Sequence, residues 1–296
     1  MAKKLFIPGP VEVEDEILKE MARPMIGHRS NEFNRIYKDV VNDIKHLLDT
    51  HNTTFIVTAS ATGMMEAAIR NTVKKKVLCI ANGAFGRRWH DIATANDKDA
   101  DLLDFGDGNC IDHKQIEKAL KEKEYDAITV IFNETSTGFE NKIEPIAKIL
   151  KKHPNTLLLV DGVSGAFGAP LDLDGIDVFL FGTQKALGLP PGLAIGVVSN
   201  NAIKKAENMN NKGFYFDFTR ILKKAQMGFT LTTPNVSLFY ALQKQLADLR
   251  KKSMKKVYEE HLRKTMIVRN WCKENGFELY AKDDFSKTLT VIDGKN

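Results

Sequence analysis

A chain of 296 residues with 43% hydrophobic and 27% charged content can bury a sizeable core, which leaves room for one large domain or two. The formal net charge of +5 comes from bases interleaved with acids, as in EKALKEKE from Glu117 to Glu124. No basic stripe with aromatic residues stands out, so a nucleic-acid partner has little support. Cys79, Cys110 and Cys272 form no Cys-x-x-Cys pair, which argues against a disulfide framework or a zinc cage and fits a reducing cytoplasm. No run of about 18 uninterrupted apolar residues occurs. The opening MAKKLFIPGP has too short an apolar run for a signal peptide, so a soluble, untargeted protein without a membrane partner is expected.

Residues 1–15 read as an extended arm around Pro8-Gly9-Pro10. Between Glu32 and Asp49 the apolar residues Phe33, Ile36, Tyr37, Val40, Val41, Ile44, Leu47 and Leu48 form one stripe of a helix. Short apolar and β-branched runs follow at 55–59, 77–81, 127–132, 157–160, 177–181 and 193–198, with helical segments between. Such alternation predicts an α/β fold with a mostly parallel sheet covered on both faces. A second amphipathic stretch runs from Met254 to the helix-ending Gly276, and the tail from Glu278 reads as a strand with a turn at Asp293-Gly294. The expected organisation is the arm, a large domain over 16–251 and a small C-terminal domain over 252–296, which is short for an independent core.

In open α/β sheets a ligand lies beyond the carboxyl ends of the strands, so the residues just after each strand are the ones to inspect. Ser60-Ala61-Thr62-Gly63 follows the first strand and precedes a helix, where free amides, hydroxyls and a positive dipole end can cup a phosphate. Taken alone, Ser60 and Thr62 are more often ordinary caps. Asp161, with Gly162, Val163 and Ser164 after it, can keep a ring nitrogen protonated, or can be a turn aspartate. Lys185 lies in the short loop Gly182-Thr183-Gln184-Lys185-Ala186-Leu187-Gly188, where desolvation suits an amine that attacks an aldehyde, although most lone lysines are surface residues. Thr135, in Asn133-Glu134-Thr135-Ser136-Thr137-Gly138, can donate to a phenolate oxygen or belong to a plain turn. Phe85, in Asn82-Gly83-Ala84-Phe85-Gly86, can stack on an aromatic ring or simply pack in the core.

Read in order, these motifs resemble the class V aminotransferases over nearly the whole chain, and within them the alanine-glyoxylate and serine-pyruvate branch. Most specific is the strand-Asp-x-Val segment at Asp161 together with Gln-Lys-Ala-Leu-x-x-Pro-Pro-Gly from Gln184 to Gly192. The resemblance implies the aspartate aminotransferase-like fold (fold type I), a homodimer with shared active sites, and pyridoxal 5′-phosphate as cofactor. It implies Lys185 as the Schiff-base lysine and general base, Asp161 at the pyridine nitrogen, Phe85 over the ring and Thr135 at the phenolic oxygen. Ser60, Ala61, Thr62 and Gln184 would hold the phosphate with Thr232 of the neighbouring subunit, and Val163 would complete the cofactor set. Gly9, Gly27 and Arg29 fall on the substrate side. Relatives usually have tyrosine where Phe229 stands. The implied reaction moves an amino group from alanine, serine or aspartate to a 2-oxo acid, glyoxylate or pyruvate. The resemblance also implies a small domain that continues past Asn296 and supplies an arginine for the substrate α-carboxylate.

Three alternatives stand beside this one. Cysteine desulfurases place His before the lysine and a catalytic cysteine on a later loop, whereas Gln184 precedes Lys185 here and no cysteine lies between Cys110 and Cys272. A phosphoserine or aminophosphonate transaminase stays open, with His28 and Arg29 placed either to meet a second acidic group across a dimer or in a salt bridge beside a helix cap. A non-catalytic subunit that merely keeps the fold is disfavoured by the presence of both Lys185 and Asp161.

Overall fold

The computed structural model describes residues 4–294. Its strands are β1 (Thr53–Val57), β2 (Lys76–Ala81), β3 (Asp99–Asp104), β4 (Ala127–Ile131), β5 (Asn133–Glu134), β6 (Phe139–Glu140), β7 (Leu157–Asp161), β8 (Val178–Gly182) and β9 (Ala194–Val198). The helices are α1 (Asp15–Met21), α2 (Asn31–Leu47), α3 (Ala61–Thr72), α4 (Ala84–Ala95), α5 (His113–Glu122), α6 (Ile143–Leu150), α7 (Asn200–Glu207), α8 (Phe218–Gln226), α9 (Val236–Lys252) and α10 (Met254–Glu274).

Seven strands form one sheet in the order β1-β9-β8-β7-β4-β2-β3, and β5 pairs with β6 as a separate short hairpin. Within the large sheet β9 runs against its neighbours β1 and β8, while β8, β7, β4, β2 and β3 are mutually parallel. Alternate residues of each strand serve opposite faces. Leu158 and Val160 of β7 enter one core with Phe33, Ile44 and Phe239, whereas Leu157 and Leu159 enter the other with Met64, Trp89 and Phe218. Burial on both faces is why these strands are apolar throughout.

The expected strands fall within a residue or two of observed ones, but β3 is an addition. Its sequence DADLLD has no apolar run because it lies at the sheet edge with its aspartates partly exposed. The tail departs from expectation as well: in place of a regular strand from Glu278 there are isolated bridges, Leu279 with Ile292 and Phe139 with Phe285. Between them Ser286 Oγ accepts from Asn133 Nδ2 at 2.8 Å, and Thr288 Oγ1 donates to the Ser164 carbonyl at 2.5 Å. The helix before this tail stops as its glycine dictates. Gly276 adopts φ 75°, and the Phe277 amide closes back on the Cys272 carbonyl at 2.9 Å. No helix among the described residues is long and apolar enough to cross a membrane.

The stripe between Glu32 and Asp49 becomes α2, opened by Ser30, whose hydroxyl accepts from the Phe33 amide at 3.2 Å. Its buried face packs on α9, where Phe239 meets Phe33 edge-on at 5.1 Å and Tyr37 at 6.0 Å. Phe239 is fully buried, so Phe239→Ala is expected to cost about 3 to 5 kcal/mol in chemical denaturation. A loss under about 1 kcal/mol would show that the two helices do not depend on this contact.

Candidate active site

Because β1, β8, β7, β4 and β2 point the same way, the segments leaving their carboxyl ends converge on one edge. There they line a cleft of about 240 Å³ that includes Gly9, Ser60, Ala61, Thr62, Phe85, Thr135, Asp161, Val163, Gln184 and Lys185. A larger open depression of about 810 Å³ lies at the opposite edge around Lys76, Asp126 and Lys205. It carries surface ion pairs such as Lys76–Asp99 and Lys205–Asp126, not a convergent set of reactive groups.

Asp161 is 4% exposed and accepts one hydrogen bond, from the Val163 amide at 2.7 Å. Burial pushes its carboxyl up to about 7; the Val163 amide opposes the rise, Glu134 adds to it, and Arg88 and Lys185 draw it back. Lys185 follows β8 and is half-buried, and burial lowers its amine below the ordinary lysine range while Asp161 opposes that. Its Nζ donates to the Pro8 carbonyl at 3.0 Å. The arm is tied to the same loop by the Val11 amide, which donates to the Gln184 carbonyl at 3.2 Å. At φ 149° Gly9 lies so close to the lysine that a Cβ would stand 2.6 Å from Lys185 Cδ, so a side chain there would be strained and would displace the lysine stem.

Ser60 occupies the N-cap position of α3, yet its exposed hydroxyl caps no backbone amide. Gly63 N bonds back to the Ser60 carbonyl at 2.9 Å, and helix geometry gives the Ala61 and Thr62 amides no intrahelical acceptor. This end of α3 therefore presents amides, two hydroxyls and a positive dipole end to the cleft. On the facing side Thr135 Oγ1 and Ser164 Oγ share a hydrogen bond of 2.6 Å. Phe85 sits in the first turn of α4 with the Arg88 guanidinium over its ring at 4.5 Å.

The cleft also contains Met65, Arg88, Asn133 and Ser164, which are not among the residues expected to contact a ligand. Arg88 was legible in principle: it follows Phe85 by three residues on one helix and so shares its face. Thr232, Gly27 and Arg29 do not line the cleft of their own chain. The Thr232 carbonyl accepts from Thr230 Oγ1 at 2.7 Å. Arg29 finds no acidic partner among the described residues, in contrast to the salt-bridge reading. It donates to the carbonyls of Thr230 and Leu231 at 2.7 and 3.2 Å. Arg269 likewise donates to the Ala281 carbonyl at 3.2 Å and stacks on Phe285.

The family model for class-V aminotransferases matches residues 12–292. An uncharacterised aminotransferase of Methanocaldococcus jannaschii is 35% identical over 300 residues, which cover 99% of this chain and 77% of that protein. A serine–glyoxylate aminotransferase of Methylorubrum extorquens is 34% identical, with 97% of this chain and 76% of its own length covered. Among solved structures, an alanine–glyoxylate aminotransferase from Nostoc superimposes with a TM-score of 0.93 at 25% identity, covering 99% of this chain and 80% of that one. The chain belongs to the class-V aminotransferases, a pyridoxal 5′-phosphate-dependent family with the aspartate aminotransferase fold.

Proposed function

We propose that this chain binds pyridoxal 5′-phosphate in the cleft after β1, β2, β4, β7 and β8 and moves an amino group from a small amino acid to glyoxylate or pyruvate. The observation that carries the reading is the meeting of Lys185 and Asp161 in one cleft: a half-buried amine and a buried carboxylate with no cation in salt-bridge distance among the described residues. Such a carboxylate fits a protonated ring nitrogen, and the α3 end with Ser60, Ala61 and Thr62 fits a phosphate. Gln184 and Val163 complete that contact set, Phe85 offers its ring face, and Thr135 offers a hydroxyl. The bound cofactor supplies an electron sink for the pair released when the substrate Cα–H bond breaks.

Asp161 holds a proton at the ring nitrogen, and Lys185 Nζ is both the attachment point and the base that moves the Cα proton. Its lowered proton affinity leaves a larger share of the amine neutral and nucleophilic. The Pro8 carbonyl and Gly9 aim that amine by confining its stem. For the substrate carboxylate, Arg88 is the guanidinium that lines the cleft, and no acid among the described residues forms a salt bridge with it. Thr232, Gly27 and Arg29 would act from the neighbouring subunit of a homodimer. The choice of alanine, serine or aspartate as donor is supported by the serine–glyoxylate, alanine–glyoxylate and aspartate–glyoxylate names of relatives.

Borohydride reduction of protein loaded with pyridoxal 5′-phosphate is expected to leave a covalent label on the peptide containing Lys185, read by mass spectrometry. Label on a different lysine would remove the assignment. Arg88→Gln is expected to raise KM for L-alanine, L-serine and L-aspartate by about tenfold or more, since a hydrogen bond to a charged group contributes roughly 1.5 to 3 kcal/mol. Parent-like KM for all three would place the carboxylate elsewhere.

The buried acid also predicts a pH dependence in the cofactor-free protein. A carboxyl that holds its proton more tightly folded than unfolded costs nothing at low pH and progressively destabilises the fold between the ordinary carboxylate range and about 7. Asp161→Asn should therefore melt close to the parent near pH 4 and above it at pH 7.5, by on the order of 2 to 4 kcal/mol. A difference in melting temperature that does not change with pH would mean that Asp161 is not held protonated by burial.

A further inference from the structure

Glu134, on β5, is 0% exposed, and no lysine, arginine or histidine among the described residues forms a salt bridge with it. Its carboxylate accepts the Phe85 amide at 3.1 Å and the Gly86 amide at 3.0 Å. It also takes the Ser136 amide at 3.1 Å and the Ser136 hydroxyl at 2.6 Å. Ser136 Oγ in turn accepts from the Ala84 amide at 3.0 Å. The first three amides of α4 are thus satisfied from the segment after β4, because the N-cap residue Gly83 has no side chain to do it. The approach is tight: a Cβ on Gly83 would stand 2.4 Å from Glu134 Cγ. The partial positive charge of the helix end offsets the buried carboxylate in place of a basic side chain.

Two cleft residues hang on this junction. Phe85 donates one of the bonds through its own amide, and Thr135 is the residue next to Glu134. We infer that Glu134 is a positioning residue of the cleft, welding the start of α4 to the β4–β5 segment so that the Phe85 ring and the Thr135 hydroxyl meet a flat aromatic ligand at one fixed separation. The inference rests on the proposed binding of pyridoxal 5′-phosphate in this cleft. An ionised carboxylate suits the task because both oxygens only accept, whereas a glutamine turns an NH₂ group toward one of the amide donors and pushes the two segments apart.

The test compares Glu134→Gln with the parent, each loaded with pyridoxal 5′-phosphate. The variant is expected to keep the parent's far-ultraviolet circular dichroism and its labelling at Lys185. It should hold the cofactor about tenfold more weakly and show an altered visible circular-dichroism band, which reports the orientation of the bound ring. In a double-mutant cycle on cofactor affinity, adding Glu134→Gln to Phe85→Leu should cost clearly less than it does in the parent, because part of its effect passes through that ring and only the share carried by Thr135 is left. Parent-like affinity with an unchanged visible band, or fully additive losses, overturns the inference. Should Glu134→Gln fail to fold, Ser136→Ala removes only the hydroxyl that links Ala84 to Glu134; a smaller change in the same band is then expected, and an unchanged band overturns the claim. Absence of label at Lys185 in the parent overturns the functional reading and this inference with it, whereas a labelled parent with an unaffected Glu134→Gln variant overturns the inference alone.

Discussion

Asp161 leaves the end of β7 with a carboxylate almost wholly out of water and a single backbone donor for company. An isolated ionised carboxyl in such surroundings is costly, and the group responds by holding its proton far above the usual carboxylate range. The charges that tune it arrive on three separate segments. Glu134 comes from the stretch after β4, Arg88 from the helix after β2, and Lys185 from the loop after β8. Each is delivered to the same edge because the strands that carry them run parallel. The chemistry proposed for the cleft depends on that convergence more than on any single side chain.

Lys185 shows how a remote part of the chain is recruited to the same end. Its stem is confined by Gly9 and its amine is met by the Pro8 carbonyl, while the Val11 amide fastens the arm to Gln184. The amine is thereby desolvated on one side by a segment more than 170 positions away in sequence, and its proton affinity falls as a result. The described start of the arm is apolar and open, with Phe6 97% exposed and Leu5 and Ile7 half exposed.

The two helix starts in the cleft are handled in opposite ways. The first amides of α4 are taken up by Glu134 and Ser136, so that end is internally satisfied and holds Phe85 rigidly. The first amides of α3 are left without a side-chain cap, although Ser60 stands in the capping position. A helix end that spends its donors internally serves as a mount, and one that keeps them free is available to an anion, the use proposed for α3. The same local motif, a helix following a strand, thus supports both uses, and neighbouring side chains decide which.

By itself the sequence determined the apolar strands β4, β7 and β8, because a strand buried on both faces must be apolar at every position, and it determined α2, because one stripe of a helix must face a core. The order of short motifs after the strands was also readable, since ligand-facing segments in such sheets follow strand ends. The acidic edge strand β3 was not, because an edge position lifts the demand for apolar residues that makes other strands visible. Nor could local patterns assign Arg29 to the carbonyls of Thr230 and Leu231, or Glu134 to amides nearly fifty residues earlier. Those partners are set by which strands lie side by side, and strand order is fixed by long-range packing that no short window of sequence contains.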